Sequence, residues 1–401
     1  MQNYAYTARD EYGKAVRGAM TAEDEIDLAN KISNLGYFLV RAKIVTGPSE
    51  VSVKINPLKS RQVLNFTIYL ATLLNAGVPL IDALWDLAED AERTNIKRVI
   101  DDIRCRIESG STLEQALSFH RRSFSKLYTA IVCAGESTGK LVVCLNDLVN
   151  LLDWQLELKA KMKEAATYPL ILLSVMVGVV TLLVVKVIPT FEPVFKGTGV
   201  ALPLPTQIVL GVSHFVRSFW YIVTGFLILS VIGYRLYNST ANGRYKLDSL
   251  KLRFPLFGQL LCKVALSRFC HTLAISLSSG VDVLTALDFG GEVVNNLRLE
   301  RAIAKVRDAV NVGEKLGNAL RVCGEFPPLV VRMITVGEQS GALTQTLNKV
   351  NQFYDREVPL NVKKIFTLFE PIMIVVMGAV VGLITFSIFL PMFQMVQMMG
   401  D

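Results

Sequence analysis

The sequence predicts a mainly α integral membrane protein with two homologous cytoplasmic helical bundles, three transmembrane helices and a small α+β N-terminal module. Three observations lead there. The chain repeats itself at long range. Its 401 residues are 51% hydrophobic yet still 19% charged, which suits soluble domains joined to a few spans. Between glycines, its apolar residues recur at helical spacing.

The repeat is read directly. Leu70 to Gly77 is LATLLNAG and Leu273 to Gly280 is LAISLSSG, a displacement of 203. Gly110 maps onto Gly313, Leu113 onto Leu316 and Leu117 onto Leu320. One residue is then lost and the displacement becomes 202. Gly135-Glu136-Ser137-Thr138-Gly139-Lys140-Leu141 maps onto Gly337-Glu338-Gln339-Ser340-Gly341-Ala342-Leu343. Tyr168-Pro169 maps onto Glu370-Pro371. Features present in both copies are expected to be architectural.

Residues 1–45 predict the α+β module. Tyr4 to Ala8, Lys14 to Gly18 and Tyr37 to Ile44 have strand character, with a helix capped by Thr21 and ended by Gly36. The opening MQNYAYTARDEYGK has no apolar run of the signal-peptide kind, so no cleaved signal is expected. Residues 46–60 have linker composition.

Residues 61–167 predict the first bundle. Gly77 suits the residue after a helix end and Pro79 the first turn of the next helix. Leu80, Ala83, Leu84, Leu87, Ala88 and Ala91 form one apolar stripe, and Ile96, Ile100, Ile103 and Ile107 another. Leu299, Ile303, Val306 and Val310 keep the second stripe in the other copy, within the connector and bundle of residues 238–368. About six helices are expected per bundle, the last running on into a span.

The spans are assigned to 168–188, 217–237 and 369–391, each near the ~20 residues needed to cross a ~30 Å core. Lys159, Lys161 and Lys163 precede the first, Arg244, Lys246, Lys251 and Arg253 follow the second, and Lys363 and Lys364 precede the third. The segment 189–216 is poor in Lys and Arg, and the tail 392–401 has none. The N-terminus and both bundles are therefore expected in the cytoplasm, with the 189–216 loop and the C-terminus periplasmic. Two copies of like orientation cannot be joined directly, and the unrepeated second span returns the chain.

No motif predicts catalysis. Gly135 to Leu141 resembles a phosphate loop, but three residues rather than four separate its glycines, Leu follows the lysine, and the second copy has Ala342 in place of Lys140. A tight turn between helices is expected there. Glu136 and Glu338 occur in both copies, and either cap backbone N–H groups or bind a partner. His120, His214 and His271 lack metal spacing, and no pair of the six cysteines forms CxxC. Neither a cofactor, a metal nor directly bound nucleic acid is expected. Pro169 and Pro371 mark a bend where helix meets bilayer. Gly378 and Gly382 form a GxxxG spacing that suits either packing on the chain's own spans or contact with a second chain.

LATLLNAGVPLIDAL, AGESTGKL, Leu202-Pro203-Leu204-Pro205-Thr206, Arg268-Phe269-Cys270-His271-Thr272-Leu273-Ala274, VGEQSGAL and Phe369-Glu370-Pro371, taken with the duplication, resemble the type II secretion system F family, which includes the type IV pilus inner-membrane platform protein. The resemblance covers essentially the whole chain. Asp282 departs from the pattern, where the first copy has Pro79. The resemblance implies a non-catalytic platform in the bacterial inner membrane that couples a cytoplasmic assembly ATPase to the extraction and polymerisation of pilin or pseudopilin subunits. It also implies other inner-membrane assembly proteins as partners. With the thin footprint of three spans, it implies a homo-oligomer in the lipid bilayer. The alternative from another class is the membrane subunit of an ATPase-driven transporter.

Overall fold

The computed structural model of the protein describes residues 2–9, 15–22, 24–34, 38–44, 56–91, 94–197, 203–255 and 257–399. Gly36, residues 46–55 of the linker and Leu202 lie outside these residues.

The N-terminal module has strands β1 (Gln2–Arg9), β2 (Ala15–Ala22) and β3 (Phe38–Ile44), with helix α1 (Glu25–Asn34) between the last two. The strand order is β2-β1-β3, antiparallel throughout, with Tyr4 opposite both Met20 and Ile44. The helix begins later than its expected cap. Thr21 pairs with Asn3 inside β2, and Asp24 instead accepts the Asp27 N–H at 2.7 Å. A charged side chain at the strand exit takes the orphan amide.

The first bundle has six helices: α2 (Ser60–Asn75), α3 (Leu80–Glu89), α4 (Thr94–Glu108), α5 (Leu113–Ser118), α6 (Lys126–Thr138) and α7 (Leu141–Leu182). A π-helical turn, Leu183–Val187, and α8 (Ile188–Gly197) continue α7. Next come α9 (Leu204–Ser239) and α10 (Ala241–Arg253). The second bundle repeats the six: α11 (Phe257–Ser278), α12 (Val283–Val293), α13 (Leu297–Asn311), α14 (Leu316–Cys323), α15 (Pro328–Ser340) and α16 (Leu343–Met399).

The two cores share many equivalent positions. Leu70, Leu84, Ile100, Leu117, Leu145 and Leu148 are buried in the first. Their counterparts Leu273, Leu287, Ile303, Leu320, Leu347 and Val350 are buried in the second. Each such side chain contributes about 1.5–3 kcal/mol of transfer free energy. The turns match too. Gly77 and Gly280 have φ of +86° and +84°, where a side chain would be strained. Behind them the Val78 N–H reaches Leu73 O at 3.0 Å and the Val281 N–H reaches Ser276 O at 2.9 Å, closing each helix in the same way. At the next helix start the copies differ. Pro79 stands at the N-cap with extended backbone, whereas the Asp282 carboxylate accepts the Thr285 N–H at 3.0 Å.

Among the described residues three helical stretches are long and apolar enough to cross a membrane: Leu141–Phe191, Phe257–Ser278 and Leu343–Phe393. They differ in what surrounds them. The middle one, α11, is the buried spine of the second bundle, with Leu266, Phe269 and Leu273 in its core. The other two expose long apolar rows such as Leu170, Ile171 and Val175, and Ile372, Ile374 and Val375. So does α9, through Ile222, Phe226 and Leu229, beyond a kink at Phe219. Being long and apolar enough does not by itself make a helix a span, since a bundle can cover it.

Residues 189–216, expected as a loop, are largely helical in α8 and the first half of α9. This half packs on both long helices through Val184, Ile188, Val209 and Ile384. Ser213 Oγ donates to the Val184 carbonyl at 2.6 Å, inside the π turn, where the helical ladder is disturbed. Thr206 Oγ1 donates to the Ser387 carbonyl at 2.8 Å.

Candidate functional site

The carboxylates that recur in both copies have a defined task. Glu136 lies in the last turns of α6, not at a helix start, and reaches across to α5. Its two oxygens accept the N–H groups of Leu113 at 2.8 Å and Glu114 at 3.0 Å. Glu338 in α15 accepts those of Leu316 at 2.7 Å and Gly317 at 3.0 Å, at the start of α14. Two orphan amides at a positive helix end thus meet one negative charge. The glutamates are caps supplied by a neighbouring helix.

The glycines around them serve a close approach. Gly135 and Gly337 are interior helical residues, and the turn proper begins only at Gly139 and Gly341, with φ of +70° and +69°. A Cβ on Gly135 would stand 3.0 Å from both Cys144 Cβ and Leu141 Cα. On Gly337 it would run into Thr346 Oγ1 and lie 2.9 Å from Leu343 Cα. The long helix therefore presses against the helix before it in each bundle. Lys140 stands at the N-cap of α7 with no side-chain cap bond. Pro169 and Pro371 sit inside α7 and α16, which continue as helix on both sides. Gly378 and Gly382 face open space: a Cβ at either would meet nothing within 4 Å.

The structure also joins residues that no local pattern connected. Trp154 of α7 stacks on the His271 ring of α11, centroids 3.9 Å apart. Trp154 Nε1 donates to Asp355 Oδ1 of α16 at 2.7 Å, and His271 Nε2 stands 3.0 Å from the same oxygen. Burial works to raise the Asp355 pKa, but the bonds from His271 and Trp154, with Lys161 nearby, hold the carboxyl below its ordinary range. Further along this seam, Ser278 and Ser279 donate to Asp147, and Lys126 pairs with Glu292 at 2.7 Å. At the far end the Tyr168 hydroxyl donates to Glu370 at 3.2 Å, joining equivalent positions of the two copies. His120 stands 2.8 Å from Asp102, holding α4 against the segment after α5. The six cysteines are free, and burial pushes Cys270 up to about 12. Among the described residues no group of three His, Cys, Asp or Glu side chains could hold a metal.

Two helical bundles locked by a seam, each extended by a helix with an apolar exposed surface, define an integral membrane protein built by duplication. The chain belongs to the type II secretion system protein F family. The model of "Type II secretion system (T2SS), protein F" matches residues 66–189 and 269–391. Those two matches are offset by 203 at their starts and 202 at their ends, like the repeat itself. The N-terminal domain model of the same family matches residues 1–43. The chain is 34% identical to "Type IV pilus assembly protein PilC" of Myxococcus xanthus, covering 98% of this chain and 94% of that one. It is 35% identical to the protein of that name from Thermus thermophilus, over 99% and 98%. It is 32% identical to "Type II secretion system protein F" of Xanthomonas campestris over the full length of both.

Proposed function

We propose that this chain is a non-catalytic inner-membrane platform for assembling a type IV pilus or a type II secretion pseudopilus. It would couple a cytoplasmic assembly ATPase to pilin or pseudopilin subunits, beside other inner-membrane assembly proteins, as a homo-oligomer. The observation that carries the reading is the continuity of α7 and α16. Each begins in a packed bundle core and continues as one helix into a surface of exposed apolar side chains. A displacement imposed on a bundle would reach the bilayer without crossing a loop.

In this reading the spans are 168–188, 217–237 and 369–391. The second is taken from α9, whose apolar side chains are exposed, and not from α11, whose apolar side chains fill a core. Lysine and arginine asymmetry puts the bundles in the cytoplasm and the C-terminus in the periplasm. Gly178, Gly378 and Gly382, each facing open space, leave room for other helices beside the spans.

Cysteine labelling at residues 200, 245 and 398 of the full chain in its membrane should report outside, inside and outside; any other order removes this topology. In a deletion strain, filament assembly should fail while solute flux is unchanged. Lost flux with normal filaments would favour a transporter subunit instead.

A further inference from the structure

The seam joins one face of the first copy to a different face of the second. Because the copies are equivalent, each also carries the face that the other used. The first copy contributes a stripe on α7: Asp147, Leu151, Trp154 and Leu158, one side of a helix by their spacing. Leu151 is 2% exposed, and Leu158, 8% exposed, is part of the second bundle's core. Adding 202 gives Lys349, Phe353, Arg356 and Leu360 on α16. These four stand open, with Phe353 41% and Leu360 63% exposed.

The receiving face shows the same contrast. In the second copy His271, Ile275, Ser279 and Phe289 lie against the first bundle, Phe289 within its core. Subtracting 203 gives Ile68, Thr72, Ala76 and Asp86 on α2, α3 and the turn between them, and all four are exposed. Beside them Tyr69 is 58% exposed where Thr272 is 1% exposed. The two vacant faces are complementary in charge. The α16 stripe carries Lys349 and Arg356. The α2–α3 face is flanked by Asp82, Asp86, Glu89 and Asp90.

We propose that the α16 stripe of one chain docks on the α2–α3 face of a second copy, repeating between chains the contact that the two copies make within one. This rests on the homo-oligomer reading above and says which surface makes it. The contact is heterologous, so it propagates from chain to chain and closes into a ring where the rotation allows. The internal seam supplies the apolar anchoring and the register. Arg356 takes the place of Trp154, and Ile68 that of His271.

The test uses the full chain in its membrane, with exposed Cys105 and Cys133 replaced by serine. Two differently tagged variants, Ile68→Cys and Arg356→Cys, are co-expressed and oxidised. Trp154→Cys with His271→Cys in one chain is the internal control and should close within the chain. A disulfide between the two tags is expected, with neither variant linking to itself. Phe353→Asp with Leu360→Asp, both at exposed positions, should weaken self-association by at least about tenfold, read by native mass in detergent, with unchanged thermal unfolding. An oligomer that persists in the aspartate variant and forms no 68–356 disulfide overturns the surface but leaves the oligomer standing. A wild-type chain that is monomeric in bilayers overturns both.

Discussion

The two bundles agree at the glutamate caps and at the glycines that end helices, and differ where the bundles touch each other. The carboxylate caps superimpose in chemistry and length, at 2.8 and 3.0 Å from Glu136 and 2.7 and 3.0 Å from Glu338. The left-handed glycines agree within a few degrees. On the outer faces of α2–α3 and α11–α12, by contrast, Ile68 became His271, Asp86 became Phe289 and Ala76 became Ser279. The paired amides that open α5 and α14 would cost the same if left unsatisfied in either copy, and their glutamate partner persists in both. A surface residue is constrained only by its neighbour, and here one copy has a neighbour that the other lacks.

The comparison is tested hardest at the close approach of the last two helices. Gly337→Val should cost about 3 kcal/mol, because the new side chain meets backbone as well as a hydroxyl. Gly135→Val, whose first contacts begin at 3.0 Å, should cost about 1–2 kcal/mol. Denaturant unfolding of the purified full chain in detergent measures both. A milder effect at Gly337 would mean that the two hairpins are not packed as described.

Next in size are the caps. Glu136→Ala and Glu338→Ala each leave two amides without their acceptor and should each cost about 2 kcal/mol. Lying in separate bundles, they should add in the double variant. A loss in one copy only would break the equivalence.

The seam should respond to acid. The Asp355 pKa is lower in the folded protein than its ordinary 3.8. The folded state therefore holds its proton less tightly, and the stabilisation is complete above 3.8. It is lost as pH falls through the lower folded value. Amide exchange across residues 150–158 and 268–275 should rise in that window. Asp355→Asn should remove the pH dependence there and cost about 1 kcal/mol. An unchanged acid response in Asp355→Asn would assign it to another group.

The smallest effect is expected at Lys140. Lys140→Ala should change stability by less than about 0.5 kcal/mol and leave filament assembly near normal, since the second copy already has Ala342. Loss of assembly by a stable, inserted variant would restore a role for the lysine.

Much of this fold was legible because it rests on local rules. Ile96 to Ile107 and Leu299 to Val310 announce amphipathic helices by spacing alone. Gly77 and Gly280 announce helix ends because only glycine enters that backbone region without strain. The caps were legible as acids but not as to which helix they serve. Glu136 is 23 residues from Leu113 along the chain, and capping signals are read over three or four. The Trp154–His271–Asp355 cluster left no signal, since Trp154 and Asp355 are 201 residues apart.

By itself the sequence determined the duplication, the helical periodicity, the places where helices end and the family, all carried by residues near one another or by repetition at a constant offset. Tertiary structure decided which neighbours cover each apolar helix. Helix α11 is long and apolar enough to span, though less apolar than the two long helices, and its neighbours in the bundle cover it. It also decided which face of each copy is covered. That depends on how two bundles of like sequence sit against each other, a geometry that no single segment encodes.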